Sequence, residues 1–395
     1  MIIFNKKNNN FTLNNNIIFF SFYLHFIPFT IYCLYKIVAK EGILLEKKKK
    51  HIVLKIFLAL IITVLIVALS GIITVYFIIN QKVDKIDYVS IPKSQVYIDE
   101  KVNSNLADYR NIALFGIDAR SDTFSAGNRS DCIMIISINE KTKDVKIASV
   151  YRDTYLDINN RGLDKVNHAY SFGGPALAMS TLNKNLDLNI SEFVAINFDT
   201  VKTAVDCVGG VTVALDSEEA KYINGYIDGL NDQFGTSSPH ITKAGTYNLD
   251  GTQALAYARI RYTDGGDYKR TERMRDVLLL VFNKAKSMGI GELNELADTI
   301  LPHISTNITK KDIIAIIPKV PSYKVDKNFG WPYEVKGYTG AAWYGVPVDL
   351  KTNVTNLHKE LFGEENYEPS NTVVEISNRI VEKTGYLKEW FLKRP

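Results

Sequence analysis

The chain has 395 residues and a net charge of +4, room for one large domain or two ordinary ones. The charge is uneven: residues 1–84 hold ten Lys, no Arg and three acids, +7, which leaves about −3 for residues 85–395. A near-neutral remainder without a recognisable reading motif argues against a nucleic-acid partner, which calls for a surface basic over a whole face.

In chain order, Ile17–Tyr35 is apolar but interrupted by His25 and Pro28. It reads either as a first transmembrane helix or, with the Asn-rich stretch before it, as sequence that is not translated. Lys40-Glu41-Gly42 can be encoded by a ribosome-binding sequence, with Leu44 or Leu45 as a UUG start, so residues 1–43 carry both alternatives within an N-terminal region 1–51. Between Lys55 and Lys82 there is no charge, and Ile56–Gln81 is an apolar run of 26 residues. About 20 suffice to cross a bilayer, so an uncleaved anchor is expected over 56–80. The basic flank at 47–55 belongs in the cytoplasm, which places everything after residue 80 outside the cell. Residues 82–108, with Pro92 and no helical period, read as an extracellular stalk.

The apolar runs 111–118, 132–138 and 145–150 are predicted strands, the last two joined as a hairpin through Asn139–Asp144. A helix over 176–186, a strand over 193–198, a helix over 200–207 and a strand over 211–215 follow. The polar, Gly-rich segment 216–249 reads as an elaborated loop. Helices are expected over 249–259 and 271–288, then two more helices and a strand around 331–348 through residue 362. Residues 365–395 are charged and read as a tail. Alternating strands and helices predict a layered α/β domain over 109–364. Cys132 and Cys207 read as buried free thiols, with a bridge between them left open for an exported domain; Cys33 lies in the apolar N-terminal stretch, and no C-x-x-C spacing occurs.

Ten of the twelve arginines lie between Arg110 and Arg275. Most fall in four clusters: G-I-D-A-R at 116–120, N-R-S-D at 128–131, Y-R-D at 151–153, and R-I-R with D-Y-K-R-T-E-R at 259–273. Guanidinium groups fork onto phosphate oxygens and carboxylates hold Mg²⁺, so the pairing suits a pyrophosphate. Asp118 and Asp131, at predicted strand ends, could share one metal ion, although each alone is an ordinary turn or cap residue. Arg120 and Arg129 accompany them. Arg152 precedes Asp153 at a strand end, where a surface ion pair is the plainer reading. Arg259 and Arg261, two apart, project to one side if the chain is extended there. Arg270, Arg273 and Met274 share the first-turn face of the 271–288 helix, where a solvated basic face is the alternative. Lys165 sits in D-K-V-N-H-A-Y, whose His168 reads as structural.

N-I-A-L-F-G-I-D-A-R, R-S-D-C-I-M-I-I-S-I, S-V-Y-R-D, K-V-N-H-A-Y with S-F-G-G-P, V-D-C-V-G-G-V, and L-D-G-T-Q-A-L-A-Y-A-R-I-R with G-D-Y-K-R-T-E-R occur in order over 110–288. In these segments the chain resembles the LytR-CpsA-Psr family of cell-wall glycopolymer transferases. The resemblance implies a three-layer αβα domain with a central mixed sheet and a hydrophobic tunnel for a polyprenyl chain. It implies transfer of an anionic glycopolymer of teichoic acid or capsule type, with one phosphate, from undecaprenyl pyrophosphate to the 6-hydroxyl of a peptidoglycan muramic acid. Polyprenyl phosphate is released, and pyrophosphate hydrolysis is a possible side reaction of the type. Asp118 and Asp131 match the family's Mg²⁺ (or Mn²⁺) carboxylates. Arg129, Arg152, Arg259, Arg261 and Arg270, with Asp267 beside them, match its pyrophosphate residues; Arg120, Lys165 and Arg273 are added from their position. Asp118, Asp131 and Asp153 are candidates for the general base. Two positions depart from the family: Tyr151 stands for its usual Pro and Met274 for its usual Gln. Rival readings are a polyprenyl-pyrophosphate-binding protein without catalysis and a membrane-bound transcription attenuator.

Overall fold

The computed structural model describes residue 36 and residues 49–118, 124–340 and 342–386. The expectations for residues 1–43, the possible early span included, and for Arg120 lie outside the described residues. Contacts divide the chain into two units, Met1–Ile78 and Ile79–Pro395.

Helix α1, Lys49–Val83, contains the candidate span Phe57–Val83 of 27 residues. At 1.5 Å per residue it is about 40 Å long, more than the roughly 30 Å of a hydrocarbon core. Its apolar side chains from Phe57 to Ile78 are largely exposed, as a lipid-facing helix requires.

The second unit is built on a seven-stranded mixed sheet. In chain order its elements are β1 (Asp87–Tyr88), α2 (Glu100–Asn105), β2 (Tyr109–Ile117), β3 (Ser130–Asn139), β4 (Asp144–Val150), the hairpin β5 (Tyr155–Ile158) and β6 (Gly162–Lys165), α3 (Val166–Leu186), β7 (Glu192–Asn197), α4 (Phe198–Cys207), β8 (Val211–Leu215), α5 (Ser217–Phe234), β9 (Gly245–Leu249), α6 (Gly251–Arg259), α7 (Gly266–Ser287), α8 (Ile290–Ile300), β10 (Ile304–Thr306), α9 (Lys310–Ile316), β11 (Lys324–Trp331), the hairpin β12 (Val335–Thr339) and β13 (Trp343–Pro347), α10 (Leu350–Phe362) and α11 (Asn371–Thr384). The sheet order is β1-β10-β7-β2-β3-β4-β11. β2 pairs parallel with β7 and antiparallel with β3, and β4 pairs antiparallel with β3 and parallel with β11.

The period of two in β2 and β3 produces the layers. Ala113, Phe115, Ile117, Ile133 and Ile135 face one core, shared with α3, α10 and α11 through Leu182, Leu357 and Ile376. Ile112, Cys132, Met134 and Ile138 face the other, shared with α4, α5, α6 and α7 through Val205, Ile223, Leu255 and Val277. This is the αβα arrangement expected.

Three segments differ from the sequence reading. Residues 216–249 form α5 and β9, not a loop. Asp216 and Glu219 close a capping box, and Ile223, Ile227 and Leu230 bury one stripe. Residues 82–108 are integrated into the domain rather than forming a stalk: β1 pairs with β10, and Val96, Val102 and Leu106 are buried. Within 365–395, α11 packs Val373, Ile376 and Ile380 into the core, and Arg379 donates to Asp157 at 2.6 Å. The packed domain therefore continues through Thr384. Cys132 and Cys207 are both free thiols.

Candidate active site

β2, β4, β7 and β11 run in the same direction and end at one edge of the sheet, where antiparallel β3 begins. The carboxyl ends of parallel strands are where open α/β sheets place ligands, because the chain there diverges into loops and helix starts. Asp118 follows β2, its backbone N–H donating to the Arg129 carbonyl at 3.1 Å. Asp131 is the second residue of β3, and Arg152 and Asp153 follow β4. Segments distant in sequence thus converge because four strands share an edge.

A cavity of about 630 Å³ opens at this edge. It is lined by Asp118, Asp131, Arg259, Arg261 and Arg270, together with Cys132, Met274, Phe198, Lys221, Tyr222, Tyr226 and Tyr262. Arg259 is the last residue of α6, its guanidinium 5.6 Å from the Phe198 ring centroid. Ile260 is buried between the two arginines, so Arg259 and Arg261 both turn to the cavity as expected for neighbours two apart. The Arg261 amide donates to the Tyr226 hydroxyl at 3.2 Å.

Behind the cavity wall the charges form a network. Arg152 Nη1 donates to Asp131 Oδ2 at 2.7 Å, and its Nε lies 3.2 Å from Asp267 and 3.5 Å from Asp153. Asp267, in the first turn of α7, also meets Arg270 at 3.3 Å and Arg261 at 3.6 Å. Arg270 Nη2 reaches the Asp131 carbonyl at 3.4 Å. Burial opposes the charge of Arg152, but Asp131, Asp267 and Asp153 outweigh it and hold the group above its ordinary range. Arg270 goes the other way: burial, then the positive charges of Arg152 and Arg261, press it below its ordinary value against the pull of Asp267 and Asp131. A buried guanidinium under that strain is a group that an anion would relieve.

Not every predicted residue joins the cavity. Lys165 pairs with Asp153 at 2.7 Å and acts one layer back. Arg129 is exposed, and its guanidinium does not line the cavity. Arg273, placed with the pyrophosphate set, turns instead into the protein. Its side chain is 1% exposed, with Nε on Glu219 at 2.8 Å, Nη1 on the Ile260 carbonyl at 3.1 Å and Nη2 on Thr263 at 2.7 Å. It joins α7 to α5 and braces the strand-like turn between Arg259 and Arg261. Lys221, Tyr222 and Tyr226 lie on α5, in the segment that the sequence pattern presents as a loop; the D-S-E-E start at 216–219 is the signal for that helix. His168 has a partner, Asp164 at 2.8 Å.

Tyr151 is accommodated by Gly330 on the adjacent strand β11, where a Cβ would collide with the phenolic oxygen. Its ring packs edge-on against Tyr268 with centroids 4.4 Å apart. Met274 lines the cavity floor, offering no hydrogen-bond donor there.

Among the described residues no group of three or more His, Cys, Asp or Glu side chains is placed to hold a metal by itself. Asp118 and Asp131 nevertheless line one cavity from adjacent strands. Asp131 Oδ2 is already held by Arg152 at 2.7 Å, so a Mg²⁺ here would draw on Asp118 and the other Asp131 oxygen and keep most of its shell for water and phosphate.

A second, apolar cavity of about 250 Å³ lies along the same sheet face. Leu114, Met134, Ile136, Ile138, Val145 and Ile147 form one wall and Leu278, Leu279 and Phe282 of α7 the other. On β3 the lining passes from Asp131 and Cys132 in the polar cavity to Met134, Ile136 and Ile138 in the apolar one. On α7 it passes from Arg270 and Met274 to Leu278, Leu279 and Phe282. The polar and apolar cavities are in line, sharing a strand and a helix.

Comparison with known proteins agrees with this architecture. A polyisoprenyl-teichoic acid–peptidoglycan teichoic acid transferase, TagU of Enterococcus faecalis, is 33% identical over 257 residues, 64% of this chain and 78% of its own. A structure of TagT bound to LIIa-WTA superposes with a TM-score of 0.54 at 26% identity, covering 70% of this chain and 99% of that one. One of TagT with bound octaprenyl pyrophosphate lipid has a TM-score of 0.51 at 25% identity, with the same coverage of both chains. The LytR_cpsA_psr family model matches residues 73–359, and the chain is therefore a member of the LytR_cpsA_psr family.

Proposed function

We propose that the protein is a membrane-anchored transferase that moves a polyprenyl-pyrophosphate-linked anionic glycopolymer onto peptidoglycan and releases polyprenyl phosphate. The observation that carries this reading is the alignment of a guanidinium-rich cavity with an apolar one along β3 and α7. Such a site suits an amphiphile with a diphosphate head and a hydrocarbon tail. The apolar lining of β3 from Cys132 to Ile138 runs about 20 Å at 3.4 Å per residue. The names of the relatives, teichoic acid transferases acting on peptidoglycan, support the same substrate pair. The basic flank Lys47–Lys50 supports a cytoplasmic N-terminal end and an extracellular domain.

In this reading Arg259, Arg261 and Arg270 bind the diphosphate oxygens, and Arg152 holds Asp131 in place from behind. An acceptor hydroxyl attacks the phosphorus that carries the glycan. The new P–O bond forms as the bridging bond to the polyprenyl phosphate breaks, and the hydroxyl proton passes to a carboxylate. Asp118, Asp131 and Asp153 are the candidates for that base. Negative charge gathers on the transferring group and the departing phosphate, where fixed guanidinium groups stabilise it without reorganisation. Mg²⁺ bound at Asp118 and Asp131 would supply further charge neutralisation at the phosphate oxygens.

The test is turnover of a polyprenyl-pyrophosphate-linked glycopolymer by the full chain in phospholipid micelles, with peptidoglycan as acceptor. Transfer that EDTA stops and added Mg²⁺ restores is the expected result. Lipid binding without metal-dependent turnover would reduce the protein to a binding module.

A further inference from the structure

A third cavity, of about 210 Å³, lies against the outer side of the same charge network. Tyr151, Tyr268 and Trp343 line it, with Asp153 and Asp267 among the lining groups. Asp267 is the carboxylate that meets Arg152, Arg261 and Arg270, so this cavity and the diphosphate cavity are separated by a single layer of ion pairs.

Its chemistry differs from that of its neighbour. Among the described residues the polar side chains lining it are two carboxylates, two tyrosines, Thr154 and the Trp343 indole, with no Lys or Arg. Asp153 faces Lys165 at 2.7 Å and Arg152 at 3.5 Å, and Asp267 faces Arg152, Arg261 and Arg270, so both carboxylates are neutralised from behind; each oxygen keeps a second lone pair for a hydroxyl or amide N–H donor. The aromatic surface is held in position. Trp343 opens β13 and is 45% exposed. Its indole lies against Gly337 on the paired strand β12, where a Cβ would come within 2.8 Å of Nε1. The backbones of Gly265, Gly266 and Gly345 complete the wall and let a ligand come close.

We infer that this cavity is the subsite for one sugar residue of the acceptor glycan, with Trp343 and Tyr268 covering its apolar face and Asp153 and Asp267 accepting hydrogen bonds from its hydroxyl or N-acetyl amide groups. A flat aromatic surface beside a few fixed polar groups is how concave sites orient a small amphipathic ring. Trp343 is a specificity residue for the acceptor, with no contact to the diphosphate cavity. The inference rests on the transferase reading for its choice of an acceptor sugar, and it gives Tyr151 a role as the support beneath Tyr268.

The full chain in phospholipid micelles is compared with Trp343→Ala and Trp343→Phe. Three readouts are taken: the KM for uncrosslinked peptidoglycan strands, the Kd for octaprenyl pyrophosphate, and saturation-transfer NMR with a short β-1,4-linked N-acetylhexosamine oligosaccharide. Trp343→Ala is expected to raise the acceptor KM about tenfold or more with kcat little changed, the pattern of lost ground-state binding. Trp343→Phe restores most of it, and the octaprenyl pyrophosphate Kd stays put in both, which reports an intact fold. The oligosaccharide signal is lost in the Ala variant. An acceptor KM and an oligosaccharide signal unchanged in Trp343→Ala overturn the inference. If the wild-type chain transfers nothing yet its oligosaccharide signal depends on Trp343, the transferase reading falls and the sugar subsite stands.

Discussion

Arg273→Met separates a bracing arginine from a phosphate-binding one. Arg273 and Glu219 are 2.8 Å apart, with side chains 1% and 6% exposed, so solvent screens the pair very little. The second oxygen of Glu219 accepts from the Asp216 amide at 3.0 Å and cannot turn to water without opening the start of α5. Removing the guanidinium strands a buried carboxylate, the case in which breaking an ion pair costs about 3–5 kcal/mol. It also frees the Ile260 carbonyl and the Thr263 hydroxyl. At roughly 2–3 °C per kcal/mol for a large domain, Tm should fall by about 6–15 °C. Arg273→Met combined with Glu219→Met removes both charges and should recover most of the loss, so the two substitutions are strongly non-additive. The assay is thermal unfolding of the full chain in detergent, paired with octaprenyl pyrophosphate affinity measured well below either Tm. An Arg273→Met protein with an unchanged Tm and a collapsed affinity would return Arg273 to the diphosphate set and refute the reasoning.

Two further outcomes follow from the site. Arg261→Ala should lower kcat by about 10²–10³, the usual loss when one charge-stabilising donor is removed, and Arg152→Ala should lower it too by releasing Asp131 from its 2.7 Å partner, both with circular dichroism unchanged; full activity in both variants would remove these residues from the mechanism. Burial, against the pull of Arg270, pushes the Cys132 thiol up to about 12 from 9.0. At pH 8 only ~10⁻⁴ of it is thiolate, so iodoacetamide followed by peptide mapping should leave Cys132 unlabelled while half-buried Cys207 reacts. Because the folded value is the higher one, the stability linked to this thiol is complete below pH 9.0 and is lost as pH rises toward about 12; alkylation of Cys132 at the rate of Cys207 at pH 8 would contradict its burial.

What the sequence made legible was what local periodicity encodes. β2, β3, β4 and β8 alternate or run apolar between clear turn residues, and their observed ends lie within two residues of those expected. The convergence of Asp118, Asp131, Arg259, Arg261 and Arg270 was readable because two of them end or begin strands and the others flank helix ends. α5 was hidden by Gly225, Gly229 and a largely polar composition, although its capping box was visible. α11 carries its apolar stripe among charges, and only docking against Asp157 and the α3 core distinguishes it from a solvated tail. Arg273 could not be separated from Arg270 by spacing, since three residues along a helix keep one face. Its partner lies 54 residues earlier, in a helix whose polar, Gly-containing sequence resembles a loop.

The in-line cavities on β3 and α7 also bear on how turnover ends. Donor and spent carrier share the same isoprenoid, so grip on that hydrocarbon holds both alike and lends nothing to the rate of the chemical step. In the proposed reaction, selectivity between them must come from the head end, where Arg259, Arg261 and Arg270 would meet a diphosphate before transfer and a lone phosphate afterwards. On that reading each cycle would weaken its own electrostatic hold, and the guanidinium cluster that attracts the donor would also set how readily the exhausted carrier departs.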